Sequence, residues 1–147
     1  MSSFQFPKGY GYVFGVLGAS SFMNIYLMVN VANARKEYKV DYPDLYARES
    51  NEKKKEFDSV QRAHQNTLES YPIVMLQMVL GGLVYPIWSA IFGGIWTVSR
   101  VLYGYGYAKN GPKGRMVGGI LSHLGDIPLI AMMLKIGYGM IKKDNAL

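Results

Sequence analysis

Long apolar runs alternate with short polar ones along this chain, and the charge is confined to the gaps and the ends. The first run, Tyr10 to Ala34, reads YGYVFGVLGASSFMNIYLMVNVANA and holds no charged residue. A helix rising about 1.5 Å per residue crosses a bilayer core in about 20 apolar residues, so this run predicts a membrane span. Gly11, Gly15 and Gly18, with Ala19 and Ser20, give it a small-residue face that predicts close packing against another helix. Residues 35–58 follow as a polar loop, where Pro43 stops any helix. The run ESNEKKKEF within it reads as a solvated charge cluster, with lysines at the surface or against lipid headgroups.

The second span, about 60–85, is polar in its first half and apolar in its second, and Pro72 invites a slight kink. Gly81, Gly82, Tyr85 and Pro86 end it, so the next helix returns at once as an antiparallel hairpin. The third span, about 87–107, carries the single charge Arg100 and is rich in aromatics, which suit membrane interfaces. KNGPKGR, with its Gly-Pro breaker, predicts a short basic turn before the fourth span, about 116–141. The expected fold is therefore all-α: one domain over residues 1–147, an integral membrane four-helix bundle of up-down topology. The residues after Lys8 form a stretch too long for a signal peptide's apolar core, so the first run is expected to remain as a span.

Composition then changes the picture in three ways. Of 16 Lys and Arg residues, all but Lys8, Lys135, Lys142 and Lys143 lie on the face of the first and third loops. The positive-inside rule puts those loops in the cytosol and both termini in the lumen. The net charge of +6 does not imply a nucleic-acid partner, because the basic loop is also acidic and no uncompensated basic stripe exists. With no cysteine and two histidines, disulfides, thiolate metal sites and cysteine nucleophiles are excluded and a metal site is not expected.

Two polar stripes carry the candidate chemistry. Arg62, Asn66 and Glu69 fall at i, i+4 and i+7 on the second helix. Arg100, Tyr103 and Tyr107 fall at i, i+3 and i+7 on the third. Arg35 and Lys36 end the first helix at the same level, and Arg115 begins the fourth. A charge at membrane depth costs about 2.5–3.5 kcal/mol on insertion scales, so such a convergence is expensive unless paired or used. The cations call for an anion, Glu69 for an ammonium, and Asn66 offers donor and acceptor. A small zwitterion with extra carboxylates satisfies that set. Asp126, mid-span with His123 three residues before it, is expected to be structural, either protonated or bonded to His123, a tyrosine or a backbone amide.

RAHQNTLESYP (Arg62–Pro72), RVLYGYGY (Arg100–Tyr107) and NARKEY after the first span resemble the signature of membrane-associated proteins in eicosanoid and glutathione metabolism (MAPEG). The resemblance implies a homotrimer of four-helix subunits that holds glutathione as co-substrate in a cytosol-facing site between subunits, with no tightly bound cofactor. It implies that Arg62, Asn66, Glu69, Tyr103 and Tyr107 contact glutathione. Arg35 and His64 would reach in from the adjacent subunit, and Arg100 would contact or support the peptide. Arg115 is the best match to the thiol-activating arginine, with Lys113 as the alternative, because the turn before it differs by about one residue from the family pattern. Ser70 departs from the tyrosine found in leukotriene-synthase members and argues against leukotriene synthesis. The implied reaction joins glutathione to a lipophilic electrophile or reduces a lipid hydroperoxide. The endoplasmic reticulum is the implied membrane, with the mitochondrial outer membrane as alternative. KKDNAL has neither the spacing nor the predicted side of a dilysine signal. The competing readings are a non-catalytic lipid-presenting protein and a structural subunit of a membrane complex with a vestigial pocket.

Overall fold

The computed structural model describes residues 5–145 as four helices of 29 residues each: α1 (Tyr10–Tyr38), α2 (Lys54–Gly82), α3 (Pro86–Gly114) and α4 (Met116–Asp144). No strand occurs among the described residues. Neighbouring helices run antiparallel, as three sets of contacts show. The Tyr10 hydroxyl donates to the Val79 carbonyl, while Ser20 meets Tyr71 and Asn24 meets His64 further along. Ser89 donates to Met78, whereas Arg100 reaches Asn66. Gly118 lies on Tyr103 and Gly125 on Trp96. Helix α3 packs against all three others, and α1 and α4 do not meet.

Local chemistry sets the helix ends. Arg35 and Lys36 occupy the last turn of α1, where cations offset the negative end of the helix dipole. Lys39 then turns left-handed (φ 54°) and its N–H closes onto the Arg35 carbonyl. Only Leu83, Val84 and Tyr85 separate α2 from α3, and Pro86 opens α3 at a position that needs no amide donor. The Gly-Pro breaker does act: α3 loses helical geometry at Asn110 and Gly111, where Gly111 takes φ 61°. Pro72 and Pro128 lie inside their helices.

The loop after α1 is a folded element, although Glu49, Ser50, Glu52, Lys53, Lys55 and Glu56 of the charged run are exposed as expected. Arg35 donates from Nη1 to the carbonyls of Asp44 (2.9 Å) and Val40 (3.3 Å), and its guanidinium lies 4.3 Å from the Tyr42 ring centroid. Val40 and Ala47 are buried against Val31, Ala34, Phe57 and Val60. Lys54 turns inward, donating to the Ala47 carbonyl (2.8 Å) and to Asp58 (2.9 Å), and the Asp58 carboxylate holds its ammonium above the usual range. The other Asp58 oxygen accepts the Ala47 N–H at 3.0 Å. These bonds could not be read from the run of charges, because they depend on a turn that brings residue 47 back over the start of α2. Asp58→Ala should free this loop: trypsin should cleave within residues 39–53 several-fold faster than in the wild type, as expected when a locally stabilised segment opens more often.

The small residues that set helix approach are also not the expected ones. A Cβ added at Gly11, Gly15 or Gly18 would meet nothing within 4 Å, so that face of α1 packs on no other helix of the chain. The close contact is instead α4 on α3. A Cβ at Gly118 would lie 2.2 Å from the Tyr103 nitrogen, and one at Gly125 would lie 2.6 Å from the Phe92 carbonyl oxygen. Gly118→Ala should therefore push α4 off Tyr103. Overpacking of this kind costs about 1–3 kcal/mol, and a lowered thermal midpoint in detergent is the measurement that checks it.

Two helices, α1 and α4, are long and apolar enough to cross a membrane by length and composition. Helix α2 falls short because its first half carries the site's charges, and α3 because Gly, Ser, Tyr and Arg100 dilute it. Large apolar side chains nevertheless face outward on every helix, among them Phe22, Leu76, Val98 and Ile120. An outer surface of that kind fits lipid better than water.

Candidate active site

The polar stripes of α2 and α3 meet between those helices. Arg62 Nη1 lies 3.1 Å from Glu69 Oε1, and Asn66 Nδ2 donates to Glu69 Oε2 at 3.2 Å. Arg100 donates from Nη1 to Asn66 Oδ1 (3.0 Å) and from Nη2 to Ser70 Oγ (3.1 Å). Asn66 is the link: its amide gives a hydrogen bond to a carboxylate and takes one from a guanidinium. Aspartate at that position could only accept, and leucine could do neither.

The two ends of this network differ in burial. Arg100 is 6% exposed and sits 5.1 Å from the ring centroids of both Trp96 and Tyr103. Aromatic faces offset part of the cost of burying a cation, yet its Nε has no partner among the described residues. The Arg62 and Glu69 side chains are 38% and 51% exposed. Pairs so exposed contribute about 1 kcal/mol or less to stability, so a ligand's charges displace them at little cost. The arrangement is a fixed buried anchor with an exchangeable rim.

A cavity of about 370 Å³ opens beside the anchor. Asn66, Arg100 and Tyr103 line its α2–α3 side, and Arg115, Met116, Gly119, Ile120, Ser122 and His123 line its α4 side. A Cβ at Gly119 would stand 3.7 Å from the Tyr103 ring, an ordinary van der Waals contact. Tyr103 and Tyr107 meet edge to face at 5.7 Å, and the Arg115 guanidinium lies 5.5 Å from the Tyr107 ring centroid. Of the two candidate thiol-activating cations, Arg115 lines the cavity and Lys113 does not.

Within one chain, three helices meet at this level rather than four. Arg35 is committed to the loop carbonyls, and His64 Nε2 lies 3.2 Å from Asn24 Oδ1 in the seam between α1 and α2. Neither residue faces the cavity of its own chain. Three participants have no place in the site by sequence alone, although Ser70 stands out there as a departure and His123 as one expected partner of Asp126. Ser70 accepts from Arg100, a contact whose only signal was adjacency to Glu69. Trp96 lies under Arg100 and extends the α3 stripe back by one turn. His123 lines the cavity and pairs with Asp126 at 3.1 Å.

The profile of the MAPEG family matches residues 13–136. The chain belongs to the MAPEG family. An uncharacterized protein of Synechocystis sp. is 32% identical over 116 residues, covering 78% of this chain and 80% of that protein. Microsomal glutathione S-transferase 2 of Homo sapiens is 31% identical over 113 residues, covering 76% of this chain and 71% of its own length. The Bos taurus protein of the same name is 30% identical over 113 residues, covering 76% of this chain and 72% of its own. The MAPEG match takes in every helix, and with it both polar stripes and Arg115. Membership of this family and the two span-like helices make the chain an integral membrane protein.

Proposed function

We propose that this MAPEG chain is a membrane-bound glutathione transferase that also reduces lipid hydroperoxides. The observation that carries the reading is the network Arg62–Glu69–Asn66–Arg100 edging a cavity that has Arg115 on its opposite wall. Glutathione is two carboxylates, an ammonium and a thiol. Arg62 and Glu69 would exchange their mutual pairing for a carboxylate and the ammonium. Arg100 would hold Asn66 in the orientation that receives the peptide. Arg115 would stabilise the thiolate, the nucleophilic form of a group whose ordinary pKa is about 8.5. The relatives named as glutathione transferases support the reading. The narrower likeness, to microsomal glutathione S-transferase 3, rests on NARKEY and the two motifs.

The same proposal includes a homotrimer, in which a neighbour's Arg35 and His64 complete the site, and four spans with the long loop in the cytosol. The face of α1 bearing Gly11, Gly15 and Gly18, uncovered within the chain, offers a contact for a neighbouring subunit. The endoplasmic reticulum is the proposed membrane, and membrane lipid and a lipophilic electrophile are the partners. Purified protein in detergent should conjugate glutathione to a generic aromatic electrophile and consume glutathione with a lipid hydroperoxide. Absence of glutathione binding would instead favour the lipid-presenting reading, and binding without either activity the vestigial pocket of a structural subunit.

A further inference from the structure

His123 and Asp126 lie outside both polar stripes, yet His123 lines the same cavity as Arg115. Its Nδ1 faces Asp126, at 3.1 Å from Oδ1 and 3.2 Å from Oδ2. The Nε2 atom therefore points away from the carboxylate. The His123 side chain is 61% exposed and that of Asp126 only 16%. The carboxylate also lies within electrostatic range of Arg100, across the α3–α4 seam. A sheltered acid that holds an accessible imidazole by Nδ1 orients the ring and leaves Nε2 as the nitrogen that meets a reacting group. Successive cavity positions on α4, Arg115, Gly119 and His123, are spaced i, i+4 and i+8. Arg115 and His123 are thus about 12 Å apart along the axis, with room for a reacting group between them. Met116 and Ile120, also on the cavity wall, are suited to an apolar tail.

We propose that His123 is the proton donor of this site and Asp126 its positioning residue, so that the preferred electrophiles are those that leave as alkoxides: organic hydroperoxides and epoxides. The inference rests on the transferase reading. With a hydroperoxide, the glutathione thiolate attacks the distal oxygen. The S–O bond forms and the O–O bond breaks, oxidising sulfur to a sulfenic acid and reducing the peroxide. The departing alkoxide takes the proton from His123 Nε2 and leaves as an alcohol. A second glutathione thiol condenses with the sulfenic acid to give glutathione disulfide and water. With an epoxide, the S–C bond forms, the ring C–O bond opens and the alkoxide takes the same proton. The proton shed by the next glutathione thiol returns to His123. An aryl chloride needs none of this, since chloride leaves without protonation.

The test compares wild type, His123→Gln and Asp126→Asn in detergent on chlorodinitrobenzene, cumene hydroperoxide and an alkyl epoxide, with glutathione binding measured on each preparation. For His123→Gln, turnover of the hydroperoxide and epoxide should fall about tenfold or more relative to turnover of the aryl chloride, a conservative figure for losing a general acid. Asp126→Asn should shift the ratio the same way by less. Equal losses on all substrates, as a structural role would give, overturn the proposal, and so does an unchanged ratio. Wild-type protein that conjugates the aryl chloride but turns over neither oxygen electrophile also overturns it and leaves the transferase reading standing. Wild-type protein that neither binds glutathione nor turns over any substrate ends the transferase reading itself.

Discussion

Arg115→Ala should bind glutathione within about threefold of wild type and lose about a hundredfold or more in turnover, the range seen when a preorganised charge stabiliser is removed. The asymmetry follows from where the residue sits. The anchor and rim proposed to grip the peptide are on α2 and α3, while Arg115 stands across the cavity at the start of α4. Its only described partner is the Tyr107 ring face, so truncation leaves no buried group unpaired. What disappears is the charge opposite a developing or resident thiolate. Titrating glutathione into the variant and measuring initial rates at saturation separates the two effects. Weakened binding with unchanged saturated turnover would assign Arg115 to the grip and not to the chemistry. Lys113→Ala, on the same turn but off the cavity, should leave both quantities near wild type.

Arg100→Met should do the reverse of an ordinary core mutation, keeping or raising stability while glutathione affinity falls at least tenfold. Arg100 is a buried cation whose hydrogen-bonding partners, Asn66 and Ser70, are both neutral, and whose Nε has none among the described residues. Removing a buried cation that has no ion-pair partner also removes the cost of desolvating it. The lost function comes through Asn66. Without the guanidinium its amide is no longer held, and Glu69 loses an oriented neighbour. A tenfold loss of affinity corresponds to about 1.4 kcal/mol, near the value of one charge-assisted hydrogen bond. Thermal midpoints and glutathione titrations on one preparation check both halves. A large loss of stability with intact affinity would mean that Arg100 holds the helices together and takes no part in the site.

The helices were legible because the chain obeys simple signals: uninterrupted apolar runs, a Gly-Pro breaker at residues 111–112, and a tight Tyr85–Pro86 turn. The polar stripes were legible because charges in an apolar helix stand out at helical spacing. Direction was harder. Arg35 looks from sequence like one more cation at the site's level, but the turn at Lys39 folds the loop back over it and supplies the carbonyls that hold it. Lys54 is one of three neighbouring lysines, and only the return of Ala47 singles it out. The glycine-rich face of α1 advertised a helix contact that the chain does not make, whereas Gly118 and Gly125, seven residues apart on α4, make one. Close approach depends on what lies opposite, and a single helix's sequence does not contain that. Ser70 and His123 share this cause: each matters through a residue on another helix or through a cavity that forms only once three helices have packed.

The most direct measurement is equilibrium binding of labelled glutathione to the wild-type protein and to Asn66→Leu in detergent. Leucine keeps the bulk of asparagine but can neither donate to Glu69 nor accept from Arg100. Saturable binding to the wild type, weakened at least tenfold in a variant that remains folded but melts lower because Arg100 Nη1 loses its acceptor, is the predicted result. No saturable binding to the wild type, or equal binding to both proteins, would contradict the assignment of this cavity and its polar edge to glutathione.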